Sequence, residues 1–123
     1  MIDRAKSFED SQVFQRAYKA SLKVHRLSLE WPQIEQGVLG DQLRRSTKSI
    51  CANFAEGFAK KSSQAEFRRY VQICIGSAEV TRVWLRYAHD LDYLDAVVWQ
   101  DLSDEYQQIT KMLMAFARSL ASG

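Results

Sequence analysis

A chain of 123 residues with 46% hydrophobic and 26% charged residues and a net charge of +2 reads as one folded domain, 1–123, with disorder expected at most in the first few and last few residues. No apolar run approaches the roughly 18 residues of a membrane span, and Met1–Asp10 carries charges where a signal peptide has its apolar region, so the chain is expected to be cytoplasmic. Cys51 and Cys74 lack C-x-x-C spacing and read as reduced, buried thiols rather than a bridge or metal ligands.

Apolar residues at Val13, Ala17, Ala20, Val24, Leu27 and Trp31 recur every three or four positions, which predicts a first helix from about Glu9 to Glu30. Pro32, Gly37 and Gly40 break it. The stripe Leu39, Leu43, Thr47, Ile50 and Phe54 predicts a second helix from about Val38 to between Gly57 and Lys60, with Lys60 and Lys61 suiting its negative end. Beside that stripe Ser46, Ser49, Asn53 and Glu56 fall at i, i+3, i+7 and i+10. Such a ridge reads as a structural polar seam: small side chains admit a neighbouring helix and hydrogen-bond across the gap. Glu56 is expected to need an Arg from the third helix or another subunit, because an unpaired buried carboxylate is costly.

Ser63-Gln64-Ala65-Glu66 has the spacing of a capping box and predicts the start of a third helix, with core stripe Phe67, Tyr70, Val71, Cys74, Ala78, Thr81, Leu85 and Ala88 and an end near Asp90–Asp92. A second, largely apolar band lies opposite, at Ile73, Gly76, Val80, Val83, Trp84 and Tyr87, with Arg68, Glu79, Arg82 and Arg86 squeezed between the two. A lone bundle needs one buried face per helix, so this band reads as an oligomer interface. Asp95 is placed to cap a fourth helix with stripe Val98, Leu102, Tyr106, Ile109, Leu113, Phe116 and Leu120. Long helices with short connections predict an all-α, antiparallel, up-down four-helix bundle.

Charge is unevenly spread. Residues 41–70 hold Arg44, Arg45, Lys48, Lys60, Lys61, Arg68 and Arg69 against three acids, net +4, while residues 90–105 hold six acids and no Lys or Arg. Arg44 and Lys48 are one turn apart on what reads as the solvent side of the second helix. Together with the Lys60–Arg69 segment they are expected to form a nucleic-acid-binding patch that contacts phosphates rather than bases. Nothing catalytic stands out. The residues three before His25 and His89 are Leu22 and Arg86, not the Glu of a di-iron bundle, and neither a phosphate-binding loop nor G-x-S-x-G occurs. His25 and His89 read as surface or capping groups, and neither a catalytic residue, a metal nor a cofactor is expected.

The motif L-x-x-Q-L-R-R-S-x-x-S-I-x-x-N-F-A-E-G (Leu39–Gly57), followed by G-S-x-E (Gly76–Glu79) and A-H-D-L-D-Y-L (Ala88–Leu94), resembles the four-helix-bundle family of 23S rRNA intervening-sequence proteins over nearly the whole chain. Phe54 replaces the more usual Ile, and Asp92 stands where Gly is common, a place Asp fills by adopting a left-handed turn. The resemblance implies a homo-oligomer, with five bundles in a ring. It also brings likeness to the accessory proteins of diversity-generating retroelements, which bind nucleic acid and a reverse transcriptase. The expected function is a non-enzymatic, pentameric scaffold whose basic surface holds RNA, DNA or a nucleic-acid-handling protein. The alternative is a protein-binding adaptor whose basic and acidic stretches pair between subunits.

Overall fold

The computed structural model describes residues 6–121, all-α among them. A 3-10 turn at Phe8–Asp10 leads into α1 (Gln12–Ser28), a one-turn α2 (Gln33–Gln36), α3 (Leu39–Ala59), α4 (Gln64–Asp90) and α5 (Ala96–Ala121). Within the long helices every core stripe expected from periodicity faces inward. Leu27, Tyr70, Val98 and Phe116 are half-buried and the other members are buried.

The four long helices form a square in the order α1, α3, α4, α5. Cross-helix pairs show that neighbours run antiparallel. Ser46 meets Thr81 while Phe54 meets Phe67, and Ser28 meets Arg44 while Phe14 meets Phe54. One end of the core is aromatic, with Phe54, Phe67 and Phe116 packed edge to face at 5.3–5.9 Å. At the other end Trp31 stacks on Tyr93 at 5.5 Å. Fully buried side chains of this size each contribute about 1.5–3 kcal/mol, so packing rather than helix propensity holds the square.

The helix ends refine the sequence reading. The first helix does not run unbroken from Glu9: Ser7 caps a separate turn with Asp10 in a reciprocal capping box, and Ser11 is extended (φ −74°, ψ 131°) before α1 begins. Phe8 against Phe14 at 4.9 Å seats that turn on the bundle. Ser63 accepts from the Glu66 N–H as expected, but Glu66 does not complete the box. The Ser63 N–H already donates to the Lys60 carbonyl, and the Glu66 carboxylate pairs with Arg69 at 3.3 Å. Asp95 caps α5 through the Val98 N–H at 2.9 Å.

Asp92 has φ 66°, the left-handed conformation anticipated for it. The Tyr93 N–H reaches back to the Ala88 carbonyl at 2.8 Å, the hydrogen bond that ends a helix in a Schellman turn. Among the described residues no helix is long and apolar enough to cross a membrane.

Candidate interaction surface

Two of the four seam residues, Ser46 and Ser49, reach across from α3 to α4, and Asn53 braces Ser49 from within α3. Thr81 Oγ1 sits 2.9 Å from Ser46 Oγ and 2.8 Å from the Ser77 carbonyl, and the Ser49 and Ser77 hydroxyls are 2.9 Å apart. Asn53 Nδ2 donates to the Ser49 carbonyl (2.9 Å) and hydroxyl (3.0 Å), fixing the Ser49 rotamer from one turn away. Glu56 stands apart from these. It is exposed and pairs with Lys60 of its own helix at 3.6 Å, so no Arg of α4 partners it within the chain. The seam ends at Gly57, where an added Cβ would lie 2.7 Å from Tyr70 Cβ and 3.0 Å from the Phe67 ring. Only glycine permits so close an approach of the two helices.

The outward band of α4 remains in solvent within one chain: Ile73 is 38% exposed, Val80 44%, Val83 50% and Tyr87 54%, with Trp84 half-buried beside them. A hollow of about 460 Å³ flanks it on the α3 side, where Ile73, Gly76, Val80 and Trp84 face the outer edge of the seam at Ser46 and Ser49. A second hollow, of about 630 Å³, lies on the α5 side between Arg82, Val83, Tyr87 and Trp99. The band is thus a ridge between two grooves. Its charged neighbours are neutralised locally, through Arg82–Glu79 and Arg86–Asp90 at 3.0 Å each and Arg45–Asp41 at 2.8 Å. A Cβ on Gly76 would meet nothing within 4 Å in the chain, so packing inside the bundle does not call for glycine there.

The basic residues singled out by sequence do not merge into one patch. Arg44 is half-buried and fastens the α1–α3 connection: Nη1 donates to Ser28 Oγ at 2.7 Å and Nη2 to the Gln36 carbonyl at 2.7 Å. It does not stand on the solvent side with Lys48, because the loop behind Pro32 folds over it. Lys48 is exposed, with Nζ 3.1 Å from His25 Nδ1. Burial and the cations Lys48, Arg44 and Arg26 hold the His25 pKa below its ordinary value, leaving a neutral ring to accept from Lys48.

Arg45 and Lys60 are separated by about 22 Å of helix axis. At the far end Lys60, Arg68 and Arg69 are exposed, Arg69 lies over the Tyr70 ring at 4.5 Å, and Lys61 lies over the Phe58 ring at 4.1 Å. Arg118, in the last turn of α5, is exposed at the same end; it falls outside the basic stretch 41–70 because it is distant in sequence.

The remaining chemistry is quiet. Cys51 and Cys74 are free thiols, and burial raises them to about 11 and about 12, far from reactive thiolates at neutral pH. Cys51 is half-buried rather than buried. His89 stacks on Trp99 at 4.3 Å and pairs with Asp90 at 3.0 Å, closing the α4–α5 turn. Among the described residues no group of three or more His, Cys, Asp or Glu is placed to hold a metal ion.

Comparison with known proteins agrees with this architecture. The family model described as 23S rRNA-intervening sequence protein matches residues 9–115, and the chain belongs to that family. A crystal structure of a protein of unknown function from the S23 ribosomal protein family of Bacteroides thetaiotaomicron is similar over 85% of this chain and 97% of that one, with a TM-score of 0.75 and 20% identity. At that identity the likeness speaks for the fold. No curated protein matches this chain.

Proposed function

We propose that this member of the family is a non-catalytic scaffold that assembles from copies of itself through the outward face of α4 and offers its basic surfaces to RNA or DNA. The observation that carries the reading is the α4 ridge. Val80, Val83 and Tyr87 are each 44–54% exposed, and the charges beside them are already paired. Contiguous apolar surface with neutralised flanks gains by being covered and asks no unpaired ion to leave water. A head-to-tail contact, in which this ridge meets a different surface of the next copy, closes into a ring when the rotation allows, and the family resemblance suggests that arrangement with five copies.

Copies in a ring would repeat the basic end formed by Lys60, Lys61, Arg68 and Arg69, so that weak phosphate contacts add along one strand. One observation favours the adaptor instead. Arg45, Lys60 and Arg69 each have an acidic partner in the same chain, which lowers their pull on phosphate.

Light scattering coupled to gel filtration tests assembly. A mass several times the 14.2 kDa chain at micromolar concentration is expected, and a monomer mass overturns the scaffold. Retention of the assembly on heparin at moderate salt separates the nucleic-acid scaffold from the adaptor, which should pass through.

A further inference from the structure

Helix α1 carries Arg16, Lys19, Lys23 and Arg26 and no Asp or Glu, the longest run of positive charge uninterrupted by an acid on any one helix. Arg16 is committed, gripping both oxygens of Glu105 at 2.6 and 2.9 Å and holding that carboxyl below its ordinary pKa. Lys19, Lys23 and Arg26 are different. They are exposed and among the described residues none closes an ion pair, although they line one groove with Asp101 and Glu105 of α5 and Lys19 helps to hold the Glu105 carboxyl below its ordinary pKa. Arg26 near the C-terminal end is favoured by the helix dipole, but Lys19 lies mid-helix and gains nothing from it. The three lie within about 10 Å of helix axis, where like charges repel and an anionic ligand would relieve them.

The flank of α1 toward α3, about 100° around the helix axis from Lys19, holds an aromatic ring. Tyr18 is 51% exposed and lies parallel to Phe14, with centroids 5.9 Å apart and planes at 14°, so one side of the ring is backed and the rest is open. Leu22 follows one turn on, 37% exposed, and Lys48 of α3 adds a cation beside His25. Cations that track a backbone next to a fixed aromatic platform are what sequence-tolerant single-strand binding requires.

From this juxtaposition we infer that the outer face of α1, through Tyr18, Lys19, Lys23 and Arg26 with Lys48 of α3, binds the backbone of single-stranded nucleic acid and stacks one base. The inference rests on the proposed nucleic-acid role and moves its principal contact from the residues 60–69 end, where partners blunt the charge, to α1.

Fluorescence anisotropy of the intact assembly with labelled single-stranded RNA and DNA, over a series of NaCl concentrations, tests it. The variant Lys19→Gln/Lys23→Gln/Arg26→Gln should bind at least about tenfold more weakly at low salt and flatten the log–log salt slope by about 2, since each phosphate no longer neutralised removes roughly 0.7. Tyr18→Ala alone, should the triple variant fail to fold, should weaken binding by about fivefold to a hundredfold. Lys60→Gln/Lys61→Gln should have the smaller effect. Equal weakening for RNA and DNA marks a backbone contact, and unequal weakening overturns that part. If the parent binds neither strand at low salt, the nucleic-acid role falls and this inference with it. If the parent binds and the α1 variants match its affinity and slope, this inference alone falls. Polyglutamate competing as well as RNA would overturn it in favour of an acidic protein partner.

Discussion

The α3–α4 side and α1 handle polar and charged groups in opposite ways. Between α3 and α4 the polar groups are turned inward and satisfied: Ser46 meets Thr81, Ser49 meets Ser77, and Gly57 brings the backbones close enough for these short side chains to touch. What that side leaves outside is apolar, the α4 ridge. On α1 the core face is apolar apart from Ser21, whose hydroxyl meets Thr47 of α3 at 2.9 Å, and Ser28; the outer face is cationic, and three of its four cations have no ion-pair partner among the described residues. A surface whose charges are already paired is suited to meeting another protein surface. A surface whose charges are not is suited to meeting a polyanion.

The sharpest way to break the tight side is Gly57→Ala. The new methyl has no room against Tyr70 Cβ at 2.7 Å, and the forced shift should lower stability by about 1–3 kcal/mol, visible as a lower denaturation midpoint in urea. Gly76→Ala, open within the chain, should keep the monomer's stability or raise it by about 1 kcal/mol, so any loss of assembly in that variant reports on the contact between copies.

Next in size is Thr81→Val, which keeps the shape and removes the hydroxyl between Ser46 and Ser77. A loss of about 1 kcal/mol is expected in thermal melts, and no loss would mean the seam is not structural. Asn53→Ala should cost a similar or smaller amount through its bonds to Ser49, whereas Glu56→Ala, removing only an exposed pair with Lys60, should change stability by under about 0.5 kcal/mol. The contrast between those two variants separates the part of the N-x-A-E-G element that braces the α3–α4 contact through Ser49 from the part that faces outward.

Much of this arrangement is readable in the sequence because it depends on local spacing. Period 3.6 located the core faces, Ser63 and Asp95 marked two helix starts, and Asp92 in a G-like position marked a left-handed turn. Features set by three-dimensional closure were not readable. Arg44 looked exposed until the Gln36 loop came back over it, and Glu66 looked like a capping partner until Arg69 offered it a charge. The α1 cations were visible in the string, but scoring charge by sequence window favoured 41–70. What mattered was whether acids closed ion pairs in space, and there Asp41, Glu56 and Glu66 answer their neighbours, while among the described residues Glu105 of α5 answers Arg16 and leaves the other α1 cations without an ion pair.

Variants of the loose side should affect stability less. The triple α1 variant should melt within about 0.5 kcal/mol of the parent, since exposed side chains without partners carry little folding energy. The smallest effect concerns pH. His25 is held below its ordinary pKa by burial and by Lys48, Arg44 and Arg26, so its share of folding stability is present above the ordinary His value and is lost as pH falls through the depressed one. A bound phosphate strand would offset those cations and raise the His25 pKa, so strand binding should take up a proton. Affinity should then increase modestly from pH 8 to pH 6 in the parent and less in His25→Gln, as read by anisotropy at constant salt.

The claim on which the rest depends is that the α4 ridge joins copies of the chain. Sedimentation equilibrium on Val83→Glu, side by side with the parent at equal micromolar concentration, addresses it directly because Val83 is half-exposed and its replacement leaves the core untouched. A folded monomer of 14.2 kDa for the variant against a several-fold larger parent is the predicted result. An unchanged assembly in the variant, or a monomeric parent, would contradict it.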